Sequence, residues 1–261
     1  MRNALFLLCL CIAAFSAFAQ EKLSVRNLSV SFGNVRTITQ DKEGFIWLGV
    51  ADGRVNLIKY NGSNLLSYGY NQDDPKALSN NNIRNIYIDS SGLIWIGTYK
   101  GLEVFNPVTQ VFTHIIHDPE IPNSLLNDSI VCLVGDKNGE IWMGTTRGIS
   151  RYNPHTGNFT NYLPDPKQSG SLSHRWVYSL LIDQNNDVWA GTFGGLNFFD
   201  RKEEKFISYR SSDGIGLTSD TITALSVDEK GNIWLGGLRN ALHMFDRKSQ
   251  RFTYFPPCDV G

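Results

Sequence analysis

Residues 41–49 read DKEGFIWLG, and the same nine-residue phrase returns as DSSGLIWIG at 89–97, DKNGEIWMG at 136–144, DQNNDVWAG at 183–191 and DEKGNIWLG at 228–236. In each copy an Asp stands six residues before a Trp, and a Gly follows the Trp by two. The positions are Asp41, Trp47 and Gly49, then Asp89, Trp95 and Gly97, Asp136, Trp142 and Gly144, Asp183, Trp189 and Gly191, and lastly Asp228, Trp234 and Gly236. Successive motif tryptophans lie 48, 47, 47 and 45 residues apart, and five of the chain's six tryptophans hold this one position. A fixed period of this size marks a stacked repeat architecture, so every other feature is read through it.

Each unit translates into strands. A β-rich run such as NIRNIYID, ending at Asp89, leads into a D-x-x-G turn. Gly44, Gly92, Gly139 and Gly231 fill the last turn position, and Asn186 replaces Gly in the fourth unit. Asn is the residue that best tolerates a left-handed backbone after Gly, so the exception supports a hairpin turn capped by the Asp side chain. A strand such as LIWIGT follows, then GLEVFNP and a short run such as FTHII. Four strands in about 47 residues is the size of one propeller blade. In LIWIG the apolar residues are consecutive, which requires cover on both faces, as for a blade held between two neighbours. Burying about 150–250 Å² per motif Trp is worth on the order of 4–6 kcal/mol before entropy is subtracted. The expected fold is an all-β propeller with five recognisable four-stranded blades, spanning residues 20–261.

The pattern D-x-x-G-x-[IV]-W-x-G-T-x-x-G-L resembles the two-component regulator propeller repeat, and the resemblance runs from about Asn27 to Phe255. That family occupies the periplasmic sensor region of bacterial hybrid two-component regulators, whose full chains carry seven-bladed propellers, a β-sandwich, a membrane helix and a histidine kinase. The resemblance implies a non-catalytic periplasmic module that senses oligosaccharides, within proteins that act as homodimers. The pattern departs at Val50 and Gly237, which replace the motif Thr, and in GRVNLIKY after Gly53 and LRNALHMF around Ala241, where small insertions are expected to shift the bend. Seven blades would need about 330 residues. The chain is therefore expected to be the N-terminal part of such a sensor, without its kinase. The competing arrangement is a closed five-blade ring, its last blade completed by LSVRNLSVSFG (23–33).

The N-terminus predicts export. Arg2, an apolar stretch from Ala4 to Ala14 and the Ala17-Phe18-Ala19 site before Gln20 form a secretory signal peptide over residues 1–19. The stretch is too short to cross a bilayer, and no membrane contact is expected of the chain. Cys9 and Cys11 leave with the leader. Cys132 and Cys258 remain, too few for a disulfide framework; Cys132 reads as a buried apolar residue, and pairing of the two is left open. A formal charge of -1 offers no basic footprint for nucleic acid.

No catalytic, metal or cofactor constellation emerges. His114 and His117 lie three apart in a strand, which sends them to opposite faces, and His155, His174 and His243 are isolated. The strings DKNGE and DQNND do not continue as calcium loops. The sixth Trp is the exception. Trp176 lies off the motif in SLSHRWVYSL, and aromatic platforms stack on sugar rings, so Trp176 with His174, Arg175 and Tyr178 is the candidate carbohydrate contact. Two alternatives stay open: a propeller enzyme such as a lyase or glycan hydrolase, and a protein-interaction scaffold.

Overall fold

The structure is a computed structural model that describes residues 33–51, 56–71, 73–238 and 242–256. The signal peptide, most of the 23–33 segment, Cys258 and the bends at 52–55 and 239–241 lie outside the described residues. Blade 1 comprises β1 (Asn34–Gln40), β2 (Ile46–Ala51), β3 (Leu57–Tyr60) and β4 (Leu65–Tyr68). Blade 2 comprises β5 (Ile83–Ile88), β6 (Ile94–Thr98), β7 (Gly101–Asn106) and β8 (Val111–Ile115). Blade 3 holds β9 (Ile130–Gly135), β10 (Ile141–Thr145), β11 (Ile149–Asn153) and β12 (Asn158–Tyr162). Blade 4 holds β13 (Val177–Ile182), β14 (Val188–Thr192), β15 (Gly195–Asp200) and β16 (Lys205–Tyr209). Blade 5 holds β17 (Ile222–Val227), β18 (Ile233–Gly237), β19 (Leu242–Asp246) and β20 (Arg251–Phe255). Every blade is an antiparallel meander in strand order, as the repeat predicts.

The motif explains how a blade forms. At the turn between its first two strands the last residue is left-handed in all five copies, with φ from +68° at Asn186 to +88° at Gly44 and Gly92. Its N–H donates to the motif Asp carbonyl at 3.0–3.1 Å. The Asp Oδ1 then accepts the amides two and four residues on, for example from Asn138 (2.9 Å) and Glu140 (3.0 Å) at Asp136. Its Oδ2 accepts the indole N–H of the motif Trp, at 2.8 Å in blades 1 and 2 and 3.1 Å in blades 3 to 5. One carboxylate thus closes the turn and fixes the rotamer of the largest core side chain.

Packing is between blades. Trp47 sits among Ile83, Ile86, Ile94 and Phe105 of blade 2, and Trp95 among Ile130, Ile141 and Phe159 of blade 3. Trp142 meets Val177, Val188 and Phe199 of blade 4, while Trp189 meets Ile222, Ile233 and Phe245 of blade 5. The motif Gly is what lets the blades close up. A Cβ on Gly97 would lie 2.7 Å from Ile130 Cγ2, and one on Gly144 would lie 2.7 Å from Val177 Cγ1. The first residues of β5, β9, β13 and β17 therefore seat directly on the backbone of the preceding blade.

The inner strands β1, β5, β9, β13 and β17 lie side by side in that order, and no comparable packing joins β17 to β1 among the described residues. Blade 5 shows the consequence at two repeat positions. Trp234 is only half-buried, and a Cβ on Gly236 would meet nothing closer than Ala224 at 3.4 Å. Among the described residues no helix is long and apolar enough to cross a membrane.

Candidate functional site

The five inner strands share a second device that the motif does not announce. Each breaks register with its neighbour near its start, at the third residue of β1 and the second of the others: between Val35 and Thr37, Ile83 and Asn85, Ile130 and Cys132, Val177 and Ser179, and Ile222 and Ala224. A β-bulge there leaves one residue out of the ladder and re-aims its side chain. The residues so displaced are Arg36, Arg84, Val131, Tyr178 and Thr223. The framework positions keep their identity from blade to blade, whereas this one changes from guanidinium to isopropyl to phenol to hydroxyl. A geometrically constant position with varied chemistry is where a propeller can be specialised without disturbing its packing.

Three of these residues come together. Arg84, Val131 and Tyr178, from blades 2, 3 and 4, line a pocket of about 240 Å³ with Tyr99, Thr145, Thr146, Trp176 and Val177. Trp176 precedes β13, and Tyr99 and Thr146 follow β6 and β10, so all belong to the end of the sheets opposite the D-x-x-G turns. The aromatic wall is ordered by stacking. Phe193 lies against Tyr178 (centroids 4.5 Å, 15° between planes) and against Trp176 (5.7 Å, 26°). The Arg84 guanidinium lies over the Tyr99 ring at 4.8 Å. Burial, more than the adjacent Tyr99 hydroxyl, pushes the Tyr178 phenol above its ordinary range, while Arg84 pulls the other way. The phenol is therefore a neutral donor at physiological pH.

Of the residues singled out from sequence, Trp176 and Tyr178 line this pocket, Arg175 is exposed beside it, and His174 accepts the Trp176 backbone N–H (3.1 Å). Tyr99, Arg84 and Phe193 were not signalled, because they belong to other strands and loops and only the blade packing gathers them.

The remaining polar clusters are occupied by the scaffold. A larger cleft of about 470 Å³ separates blades 1 and 2 at the turn end, lined by Asp41, Lys42, Lys59, Asp89 and Pro107 among others. Its carboxylates hold their turns and indoles, and Lys42 Nζ donates to the Ser90 carbonyl (2.6 Å). At Asp89 burial pushes the carboxyl up, but bonds from Ser91, Trp95 and the backbone outweigh it and hold it below the usual range. Pro107 stands where blade 4 has Arg201, which donates to Asp136 of blade 3 (2.7 Å), and blade 5 has Arg247, which donates to Asp183 of blade 4. The buried Glu103 accepts from Ser79 and is hydrogen-bonded to His114 Nδ1, while His114 Nε2 lies 2.9 Å from the Pro75 carbonyl. His117 Nδ1 donates to the Leu125 carbonyl (2.6 Å), so the two histidines are pinned to different partners. Burial pushes the Cys132 thiol up to about 12, an inert core residue.

The two-component regulator propeller family matches this chain five times, at residues 29–52, 77–100, 124–147, 171–194 and 216–239. The chain is built of two-component regulator propeller repeats. Each matched segment takes in the first two strands of its blade, which is where the repeat's Asp, Trp and Gly stand. No curated protein matches the chain in sequence. Among solved structures it is similar to the extracellular domain of a protein described as a hybrid two-component system from B. thetaiotaomicron, with a TM-score of 0.73 and 24% identity over 87% of this chain. The repeats here span 31% of that chain's length. Virginiamycin B lyase from Staphylococcus aureus is similar in fold (TM-score 0.68, 14% identity, 90% of this chain and 74% of that one). So is PorZ, a surface component of the type-IX secretion system of Porphyromonas gingivalis (0.65, 17%, 85% and 34%). At these identities the likeness shows the propeller fold.

Proposed function

We propose that this propeller is the exported, periplasmic sensing module of a two-component signal-transduction regulator, and that it binds an oligosaccharide without turning it over. The repeat family and the likeness to the extracellular domain of a protein described as a hybrid two-component system support the module's setting. The observation that carries the ligand reading is the pocket itself: three blades contribute bulge residues to one concave site walled by Trp176, Tyr178 and Tyr99. Stacked ring faces flanked by hydroxyl and guanidinium donors suit a sugar, which presents an apolar C–H face and a rim of acceptors.

The experiment is titration of residues 20–261 with a panel of defined oligosaccharides, followed by calorimetry and tryptophan fluorescence, with the glycan recovered and sized afterwards. Saturable binding with unchanged glycan is expected, and Trp176→Ala or Tyr178→Ala should weaken it about tenfold or more without moving the melting temperature. Shortened glycan or an unsaturated product would overturn the non-catalytic reading in favour of a propeller hydrolase or lyase. Binding indifferent to both substitutions would remove the site.

A further inference from the structure

Resting on that reading of the pocket, we propose that its ligand is an acidic oligosaccharide, one bearing a carboxylate or sulfate that pairs with Arg84. Every side chain that offers a polar group to the pocket without an internal partner carries a donor, and two of the four, Arg84 and Trp176, can only donate. Thr145 Oγ1 donates to the Gly148 carbonyl (2.9 Å) and Thr146 Oγ1 to Asn127 (3.0 Å), so both threonine hydroxyls are engaged. What remains is the Arg84 guanidinium, the Tyr99 and Tyr178 hydroxyls and the Trp176 indole N–H, none of which forms an ion pair or side-chain hydrogen bond among the described residues. Among the described residues no Asp or Glu lines the pocket. Asp128 and Asp220, which lead into β9 and β17, are not among the lining residues, and each holds its loop by accepting the backbone amide of His117 or Ser211 (2.6 Å each).

Arg84 is half-buried between the Tyr99 ring and apolar wall residues such as Val131, so it has given up part of its hydration with no carboxylate in return. An anion supplies that missing partner, and a planar carboxylate or a sulfate can take two guanidinium N–H groups at once. The neighbouring loops repeat the sign. Arg147 and Arg175, next in sequence to the lining residues Thr146 and Trp176, are exposed and outside every ion pair of the described residues, whereas Lys100 lines a separate cleft with Asp74. A chain of formal charge -1 thus sets Arg84, with Arg147 and Arg175 next in sequence to the lining, at one pocket, a concentration of positive charge that favours an anion.

The test compares trigalacturonic acid and a chondroitin 4-sulfate disaccharide with neutral maltotriose and cellotriose, on residues 20–261. An acidic probe should bind about tenfold or more tighter than the neutral ones, and its affinity should fall as salt rises. Arg84→Gln should erase that preference, Arg84→Lys should keep part of it, and Trp176→Ala should weaken both classes; melting curves check that each variant is folded. Neutral probes that bind as tightly as acidic ones through Trp176, or an acid preference that survives Arg84→Gln, would overturn the proposal while leaving the sugar site standing. No binding of any probe, or binding untouched by Trp176→Ala, would overturn both.

Discussion

At the scale of single residues the motif Asp does three things with two oxygens, and the third differs between blades. Asp136 closes its turn through Oδ1, holds Trp142 through Oδ2, and in the same oxygen receives Arg201 from the following blade. Its carboxylate is fully buried, so the guanidinium is its compensating charge. Asp183 is treated likewise by Arg247, which also reaches Asp187. Removing one partner of a buried pair leaves an uncompensated charge and costs more than the pair contributes over apolar packing. Arg201→Ala should therefore destabilise the domain by about 3 kcal/mol in urea denaturation, whereas Lys42→Ala, which loses only an exposed bond to the Ser90 carbonyl, should stay within about 0.5 kcal/mol. Equal costs would show that the clasp adds nothing.

At the scale of strands and turns, much was legible and the reason is local chemistry. The D-x-x-G turn, its left-handed fourth residue and even the Asn186 exception follow from steric rules acting within four residues. The bulges were not legible, because register is a property of two strands and the displaced residues have no common side chain to announce them. The indole bond to Asp escaped for the same reason: the two residues are adjacent only after the hairpin has folded. A further polar position, the third-strand residue paired with the one that follows the motif Trp, carries Glu103, Ser150, Asn197 and His243 in blades 2 to 5, each tied to its blade-leading loop. At His243, Nε2 accepts from the Thr218 hydroxyl (2.9 Å) and faces its amide, and burial pushes the imidazole below its ordinary range. The unfolded chain then holds the proton more tightly than the folded one, so stability is complete above about pH 6.5 and falls as pH drops through that value toward the lowered one. The melting temperature should decline from pH 7.5 to pH 5, and His243→Gln, which keeps an acceptor and cannot titrate, should flatten part of that slope. An unchanged slope would place the acid sensitivity elsewhere.

At the scale of the whole molecule, the same repeat positions behave oppositely at the junctions and at the two terminal faces. In blade 2 the inner-strand residues Ile83 and Ile86 are 0% and 6% exposed under Trp47 of blade 1. Their counterparts in blade 1, Val35 and Ile38, are 39% and 66% exposed. On the far side Ile149 of blade 3 is fully buried against blade 4, while its counterpart Leu242 in blade 5 is 42% exposed beside the half-buried Trp234. Identical apolar chemistry thus meets a neighbouring blade at four junctions and meets none, among the described residues, at the two end faces. Exposed sheet faces of this kind drive association between chains. A charge should therefore have opposite effects at equivalent positions. Ile86→Lys buries an unpaired ammonium at a junction and should unfold the domain or lower its melting temperature steeply. Ile38→Lys places the same group in water; it should leave the melting temperature nearly unchanged and, combined with Leu242→Lys, should reduce concentration-dependent association seen by light scattering. If Ile38→Lys proved as damaging as Ile86→Lys, the outer face of blade 1 would have to be covered in solution.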